Sequence, residues 1–335
     1  MMFYPGENNL ITDVDNIIVG NAESNKVGTG TTVLIPPEGS TAAADVRGGA
    51  PGTREVGALN PYNLVDTVDA IVLSGGSAWG LESASSVANM IGKTGRGFKT
   101  SENIKNVPMI PAAILFDLNN GGDKDWGDNP PYHNLGVEAV KQADKKFEIG
   151  NKGAGYGAKA GTLKGGLGSA SFISDTGLQI GGLFAVNSFG SVVHSDSGQF
   201  WAGCDEVNDE FGGKGAPNNL PDNILSGSSI DNALAKNNTT IGIIATNAKL
   251  DPRAAKRIAI MAHTGMARAI RPVHSPVDGD VMFVVSTNSY EKDLSYREMN
   301  EIGELAARVC ARSISRAVYE AKSLFDMTSW KDKYT

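Results

Sequence analysis

The stretch Lys236-Asn237-Asn238-Thr239-Thr240-Ile241-Gly242-Ile243-Ile244-Ala245-Thr246-Asn247-Ala248 joins a polar run of the chain to an apolar one. The polar part ends at a pair of threonines, and the part that follows is rich in β-branched side chains. Ile241, Ile243 and Ile244 make this second part typical of a buried strand. The chain is therefore expected to enter a sheet at the threonine pair.

Thr239 stands where a self-cleaving nucleophile is needed. In such chemistry the threonine hydroxyl attacks the carbonyl of the preceding residue, here Asn238, and the acyl group moves from nitrogen to oxygen. Water then opens the ester, and Thr239 begins a new chain whose own α-amine serves as the base. Because an α-amine has a reference pKa of about 8, part of it is neutral at pH 7. The same local sequence is also typical of a simple turn that enters a sheet.

Predicted strands and helices alternate along the rest of the chain, which indicates a mixed α/β fold. Short apolar runs predict strands at 16–20, 31–36, 68–73, 107–116, 181–188, 240–246 and 281–286. Helical periodicity and capping residues predict helices at 81–91, 134–143, 251–270 and 295–322. Residues 200–237 are polar and rich in Gly, Asn and Pro, and we interpret them as a linker that swings away after cleavage.

Further short motifs are spread over nearly the whole chain. They are Gly28-Thr29-Gly30-Thr31-Thr32-Val33, Asp45-Val46-Arg47-Gly48-Gly49, Val68-Asp69-Ala70-Ile71-Val72-Leu73-Ser74-Gly75-Gly76-Ser77-Ala78-Trp79-Gly80-Leu81, Pro111-Ala112-Ala113-Ile114-Leu115-Phe116-Asp117, Gly153-Ala154-Gly155, Leu163-Lys164-Gly165-Gly166, Val186-Asn187, Asn238-Thr239-Thr240 and Asp278-Gly279-Asp280. In this order they resemble the DmpA/NylC-type family of self-processing N-terminal nucleophile aminopeptidases and amidases. That family includes nylon-oligomer hydrolases and β-peptidyl aminopeptidases.

The resemblance implies both a fold and a processing site. The fold is a four-layer αββα sandwich, similar to that of ornithine acetyltransferase, in a single domain with the nucleophile at the start of an inner strand. Cleavage between Asn238 and Thr239 would give an α chain of residues 1–238 and a β chain of residues 239–335. The processed heterodimers are expected to associate into a homo-oligomer, a tetramer.

The resemblance also supplies candidates for the oxyanion site. Asn187, just past an apolar strand, matches the active-site asparagine of the family and would donate through its side-chain amide. Lys164 is the candidate for the family's lysine, which would lower the pKa of the nucleophile or help to bind the oxyanion. In the nylon-hydrolase pattern this lysine follows an Ala-Gly pair. Here Thr162 has that position, with Lys159 and Lys164 on either side.

Two acids complete the predicted constellation. Asp278 and Asp280 flank Gly279 just before an apolar strand, and residues two apart on a strand face the same side. The two carboxylates are therefore expected to hold the new α-ammonium, or to orient the threonine hydroxyl and the lysine. The match is to the nylon-hydrolase branch, because the serine-nucleophile aminopeptidases use serine and glutamate here. An ordinary acidic turn is the alternative reading.

A strand, a glycine-rich turn and a helix follow one another around Gly75, Gly76 and Ser77. The turn is not a hydrolase nucleophile elbow, because Trp79 stands where the second glycine of G-x-S-x-G belongs. It is not a phosphate-binding loop either, because no Gly-Lys-Ser/Thr sequence follows. We predict that these three residues form a packed turn that lines the substrate pocket.

Composition limits the classes of partner. Hydrophobic residues make up 41% and charged residues 20% of the chain, as in ordinary globular proteins. The net charge of −7 argues against nucleic acid or an anionic membrane as a partner. A small peptide or amide is the expected substrate.

Neither a metal nor another cofactor is predicted. The histidines show no HExxH or related ligand spacing, and the two cysteines, Cys204 and Cys310, form neither a CxxC pair nor a disulfide framework. The first 21 residues have no basic segment and no long apolar run, so the sequence predicts a cytoplasmic protein.

Three functions fit these features. The first is an autoprocessing N-terminal threonine amide hydrolase, acting as an aminopeptidase or as a hydrolase of 6-aminohexanoate (nylon) oligomers. The second is an acyltransferase of the ornithine acetyltransferase type, which would pass the acyl group to an amine rather than to water. The third is a non-catalytic binding protein with an uncut chain.

Overall fold

Two β-sheets face each other in the computed structural model, which describes residues 2–223, 225–229 and 238–335. The first sheet contains, in spatial order, β1 (Phe3–Tyr4), β10 (Gly166–Ser174), β11 (Gln179–Asn187), β12 (Thr239–Thr246), β13 (Val281–Ser286) and β4 (Thr41–Val46). The second contains β2 (Ile18–Ser24), β3 (Thr29–Ile35), β6 (Ile71–Ser74), β7 (Ala112–Ile114) and β5 (Thr53–Arg54). A separate hairpin pairs β8 (Lys159–Ala160) with β9 (Leu163–Lys164).

Helices cover the outer face of each sheet. They are α1 (Glu82–Gly92), α2 (Tyr132–Lys141), α3 (Pro252–Ala269), α4 (Tyr296–Tyr319) and the short α5 (Trp330–Tyr334). The buried apolar side chains fall into three clusters, one between the sheets, one under α3 and α4, and one under α1 and α2. The predicted αββα sandwich is confirmed. Among the described residues, no helix is long and apolar enough to cross a membrane.

Strand β12 lies inside the first sheet, with β11 antiparallel on one side and β13 parallel on the other. Ile241 and Ile243 point into the core between the sheets, and Ile244 points into the core under the helices. Every residue of β12 is buried. The apolar run that the sequence places after the threonine pair is thus explained by burial on both faces.

Helix α3 makes the parallel pairing of β12 and β13 possible, because two parallel strands need a crossover connection. The Asp251 side chain caps α3 by accepting a hydrogen bond from the N–H of Ala254 at 2.7 Å, and Pro252 occupies the first turn. The parallel arrangement brings the starts of β12 and β13 to the same edge of the sheet.

Two predicted segments differ from the structure. The strand expected at 107–116 is reduced to Ala112–Ile114, because Pro108 and Pro111 lack the N–H groups that a sheet requires. The expected linker at 200–237 contains a 3₁₀ turn at Gly203–Asp205. Residues 224 and 230–237 of that linker lie outside the described residues.

Glycines in β10 let α4 pack closely on the first sheet. A Cβ atom on Gly168 would overlap the backbone carbonyl of Ser313, and one on Gly166 would overlap that of Ala317. Because these obstacles are backbone atoms of a buried helix, they cannot move without shifting α4.

We expect Gly168→Ala to destabilise the protein by about 1–3 kcal/mol, the usual cost of overfilling a packed interior. The measurement is the midpoint of thermal unfolding, which should fall by several degrees. Gly57→Ala is the matched control, since a Cβ atom there meets nothing within 4 Å. Equal midpoints for the two variants would contradict this account of how α4 packs.

Candidate functional site

Thr239 is the first residue of β12, at the end of the strand, and is buried. Its Oγ1 donates a hydrogen bond to the carbonyl oxygen of Asn238, the residue before it. Across the antiparallel pair it lies opposite Asn187, the last residue of β11. The threonine hydroxyl therefore lies against the carbonyl that it would attack in self-cleavage.

A backbone donor faces that same carbonyl. The N–H of Gly279 donates to the carbonyl oxygen of Asn238 at 3.0 Å. A Cβ atom on Gly279 would lie 2.7 Å from Thr239 Oγ1 and 2.7 Å from the carbonyl oxygen of Ala50. Only glycine leaves room for the threonine hydroxyl at this position.

The two predicted acids lie on either side of Gly279. Asp280 Oδ1 accepts the N–H of Thr240 at 2.7 Å. Asp278 Oδ1 accepts the N–H of Phe189 at 3.1 Å, and its Oδ2 accepts both the N–H and the hydroxyl of Ser275. Burial, and then the charge of Asp280, raise the pKa of Asp278 to about 6.

Asp278 and Asp280 lie in the segment just before β13, which begins at Val281. Asp278 pairs with Asn238 in a parallel bridge that continues the register of β12 and β13. The two carboxylates bind different backbone segments. Asp280 holds Thr240, the residue after Thr239, and Asp278 holds the segment that follows Asn187.

Asn187 is buried, and each end of its amide contacts backbone. Its Nδ2 donates to the carbonyl of Phe116 at 3.0 Å, and its Oδ1 accepts the N–H of Lys159 at 2.8 Å. The side chain of Asn120 also donates to Oδ1, at 3.1 Å. These bonds orient the amide beside Thr239.

Lys164 is fully buried on β9, and its ammonium contacts backbone carbonyls. Nζ donates to the carbonyls of Gly155, Ala158 and Gly165 at 3.1, 3.0 and 2.7 Å. Burial lowers its pKa to about 7, opposed by the charge of Asp117. The Ala158 carbonyl and the Lys159 N–H belong to one peptide group, and that N–H donates to Asn187. Lys164 therefore supports Asn187 through this peptide.

The glycine turn follows β6 of the second sheet and contacts the 115–117 segment, which also contacts Asn187. Gly76 N–H donates to Asp117 Oδ1 at 2.8 Å, and Ser77 N–H donates to the carbonyl of Leu115 at 2.9 Å. A Cβ atom on Gly76 would overlap the ring of Tyr132. Packing explains the glycine, and a role of Gly75, Gly76 and Ser77 in binding substrate stays a prediction.

Asp117 anchors this turn from a fully buried position. Its Oδ2 accepts the hydroxyl of Thr29 at 2.7 Å, and burial raises its pKa. Through Phe116, the residue before it, the same segment contacts Asn187. The second sheet therefore contributes to the site through the 115–117 segment.

Sequence reasoning missed several residues of this arrangement. Gly279 was visible between the two acids, but nothing local marked its N–H as a donor to Asn238. Asn120 lies between β7 and α2, just beyond the motif that ends at Asp117, and no pattern marks it. His274, whose ring contacts Asp280, carries no motif at all, and its place depends on the tertiary structure.

Comparison with known proteins matches this chain to peptidases and amide hydrolases. The family model described as Peptidase family S58 matches residues 9–330. An uncharacterised aminopeptidase of Mycobacterium bovis is 36% identical, over 97% of this chain and 98% of its own length. A 6-aminohexanoate-oligomer endohydrolase of a Kocuria species is 27% identical, over 91% of this chain and 82% of its own length.

Solved structures share the fold. The L-aminopeptidase D-Ala-esterase/amidase of Ochrobactrum anthropi, described as a variant of the Ntn hydrolase fold, superposes with a TM-score of 0.69 and is 19% identical. The match covers 96% of this chain and 88% of that one. At this identity the likeness concerns the fold.

The buried ammonium of Lys164 predicts a pH-dependent stability difference between the wild type and Lys164→Met. The pKa of Lys164 is about 7 in the folded protein and 10.5 as an ordinary lysine, so between these values the unfolded chain binds more protons. The free energy of unfolding of the wild type should therefore rise with pH relative to the variant, by at most about 1.4 kcal/mol per pH unit. Below pH 7 the difference should level off.

Denaturant unfolding of both proteins at about pH 6, 7.5 and 9 measures this difference. Both should carry Thr239→Ala, so that each is a single chain. A difference that does not change with pH would contradict a lysine buried with a lowered pKa.

Proposed function

The chain belongs to peptidase family S58 and is an amide-bond hydrolase, and we propose that its nucleophile is Thr239, freed by self-cleavage of the Asn238–Thr239 bond. One observation carries this proposal: the Thr239 hydroxyl and the Gly279 N–H both contact the carbonyl oxygen of Asn238. A nucleophile and an oxyanion donor thus meet at a single peptide bond.

Self-cleavage proceeds in two steps. Thr239 Oγ1 attacks the carbonyl carbon of Asn238, while the Gly279 N–H stabilises the negative charge on the carbonyl oxygen. The C–N bond breaks, the proton of the hydroxyl passes to the departing nitrogen, and Asn238 becomes an ester of Thr239. Water then hydrolyses that ester, which leaves a carboxylate on Asn238 and a free amine and hydroxyl on Thr239.

Turnover repeats this chemistry on a substrate. The α-amine of Thr239 accepts the hydroxyl proton as Oγ1 attacks the substrate carbonyl, whose oxygen takes the place that the Asn238 carbonyl had beside Gly279. The amine of the substrate leaves with the proton. Water then opens the acyl-enzyme, and the α-amine again accepts a proton, this time from the water.

The surrounding residues act by orientation. Asn187 lies opposite Thr239 and is proposed to assist the oxyanion through its amide. Asp280 holds the Thr239–Thr240 peptide, Asp278 holds the segment after Asn187, and Lys164 supports Asn187 through the 158–159 peptide. Such orientation is worth large factors in rate, because small misplacements of reacting atoms are costly.

We propose an aminopeptidase-type substrate, a short peptide or amide with a free amino end. The relatives at 36% identity carry the name aminopeptidase, and those named 6-aminohexanoate-oligomer endohydrolases are 27% identical. Linear 6-aminohexanoate oligomers are the second substrate class to assay. A tetramer of cleaved heterodimers and a cytoplasmic location stay predictions from the sequence.

Intact-mass analysis under denaturing conditions tests the nucleophile. The wild type should give two fragments that break between Asn238 and Thr239, and Thr239→Ala should give one uncut chain. Thr239→Ser, which keeps a hydroxyl, should still be cleaved. An uncut wild-type chain that hydrolyses amides would remove Thr239 from its role.

A side chain at Gly279 should block the same step. Gly279→Ala is expected to slow self-cleavage by at least about a hundredfold, the loss typical of a damaged oxyanion site, because the new methyl group presses on Thr239 Oγ1. The time course of cleavage after cell-free synthesis measures the rate. Gly57→Ala again serves as the control, and equal rates for the two variants would refute the assigned geometry.

A further inference from the structure

Asp280 depends on a histidine that lies outside the recognised motifs. Its Oδ2 accepts two hydrogen bonds from His274, one from the backbone N–H at 3.1 Å and one from the ring Nδ1 at 2.8 Å. Its Oδ1 accepts the N–H of Thr240 at 2.7 Å. The carboxylate is therefore held on one side by His274 and holds the backbone of the nucleophile strand on the other.

The conformation of His274 suits this double contact. Its φ of 55° lies in the left-handed region, which is uncommon for residues other than glycine. In this conformation the backbone N–H and the ring of one residue both reach the same carboxylate oxygen. Because an ionised carboxylate only accepts hydrogen bonds, Nδ1 must carry the hydrogen.

A second histidine packs against the ring of His274. The ring of His263, on α3, lies edge-on at 4.8 Å between centroids. His263 is buried, and its Nε2 contacts the carbonyl oxygen of Asp45 at 3.2 Å. Burial, and then the neighbouring His274, lower the pKa of His263 to about 4, so this ring is neutral at pH 7.

Asp45, on the far side of His263 from His274, forms ion pairs with two basic side chains. Asp45 accepts from Arg47 Nε at 2.5 Å and from Lys256 Nζ at 2.6 Å, and its pKa is lowered. Asp45 therefore meets His263 as part of an ion-paired cluster. This leaves Asp280 as the acceptor of the His274 ring, and the neutral ring of His263 fixes the orientation of that ring.

We propose that His274 is a positioning residue for the reaction, which holds Asp280 and through it the Thr239–Thr240 peptide in the orientation needed for attack by Thr239. The inference rests on the proposed function of Thr239. His274 acts indirectly. Its ring contacts Asp280, and the other oxygen of Asp280 accepts the backbone N–H of Thr240. Removing the Nδ1 donor takes away one of the two hydrogen bonds that His274 makes to Asp280 Oδ2, and so loosens the peptide that orients the nucleophile.

Isosteric replacements test this role. Asparagine places its amide nitrogen close to the position of Nδ1, whereas glutamine places its own closer to that of Nε2. His274→Asn should therefore self-cleave within about threefold of the wild-type rate. His274→Gln and His274→Ala should be slower by about tenfold or more, as expected for loss of a hydrogen bond to a charged group.

The rates are measured by intact mass after cell-free synthesis, with thermal midpoints for every variant. For the processed proteins, kcat on a small amino-acid amide should fall in the same order, with KM unchanged within about twofold. His133→Ala is the control, because that side chain is half exposed on α2. The comparison of Asn with Gln applies even where the Ala variant does not fold, and it is interpreted together with the thermal midpoints, because Asn tolerates the left-handed φ of this position better than Gln.

Several outcomes would overturn the proposal. Equal rates in the wild type and all three variants would show that His274 does not position the nucleophile. Equal losses in the Asn and Gln variants, in parallel with their thermal midpoints, would show a purely structural histidine. An uncut wild type would instead count against Thr239 itself, so the two failures are distinguishable.

Discussion

The carbonyl oxygen of Asn238 accepts a hydrogen bond from the N–H of Gly279 at 3.0 Å, and the rest of the site is arranged about this contact. It exists because β12 and β13 run parallel, which brings the residues before both strands to the same edge of the sheet. The residue before β12 then meets the turn before β13. A shift in the register of either strand would separate the Asn238 carbonyl from the Gly279 N–H.

Neighbouring segments keep that turn in place. Arg47 N–H donates to the carbonyl of Asp280, and Ala50 N–H donates to the carbonyl of Asp278. A Cβ atom on Gly48 would overlap the backbone of the turn, so β4 and the loop after it approach very closely. The loop after edge strand β4 thus holds the backbone of the site in place through hydrogen bonds and close packing.

Burial gives these polar groups their chemical character. An unpaired charge inside a protein is costly, so each buried charge needs donors or acceptors nearby. The carboxylates of Asp278 and Asp280 accept hydrogen bonds from backbone N–H groups of other residues, and the ammonium of Lys164 donates to backbone carbonyls. The directions of the pKa shifts follow from the same cause, since burial raises the pKa of Asp278 and lowers that of Lys164. These groups keep the backbone about Thr239 in one arrangement.

The sequence alone determined the buried strand after Thr239, the alternation of strands and helices, and the family, because apolar periodicity and short motifs are local properties. It also identified Asn187, Lys164, Asp278 and Asp280 as residues of interest. Only the tertiary structure decided what each one contacts: Lys164 reaches backbone carbonyls that lie just outside its own hairpin, and the two acids hold different segments. Gly279, Asn120 and His274 entered the site for the same reason. Hydrogen bonds between residues far apart in the chain depend on strand register and crossover geometry, which no local pattern specifies.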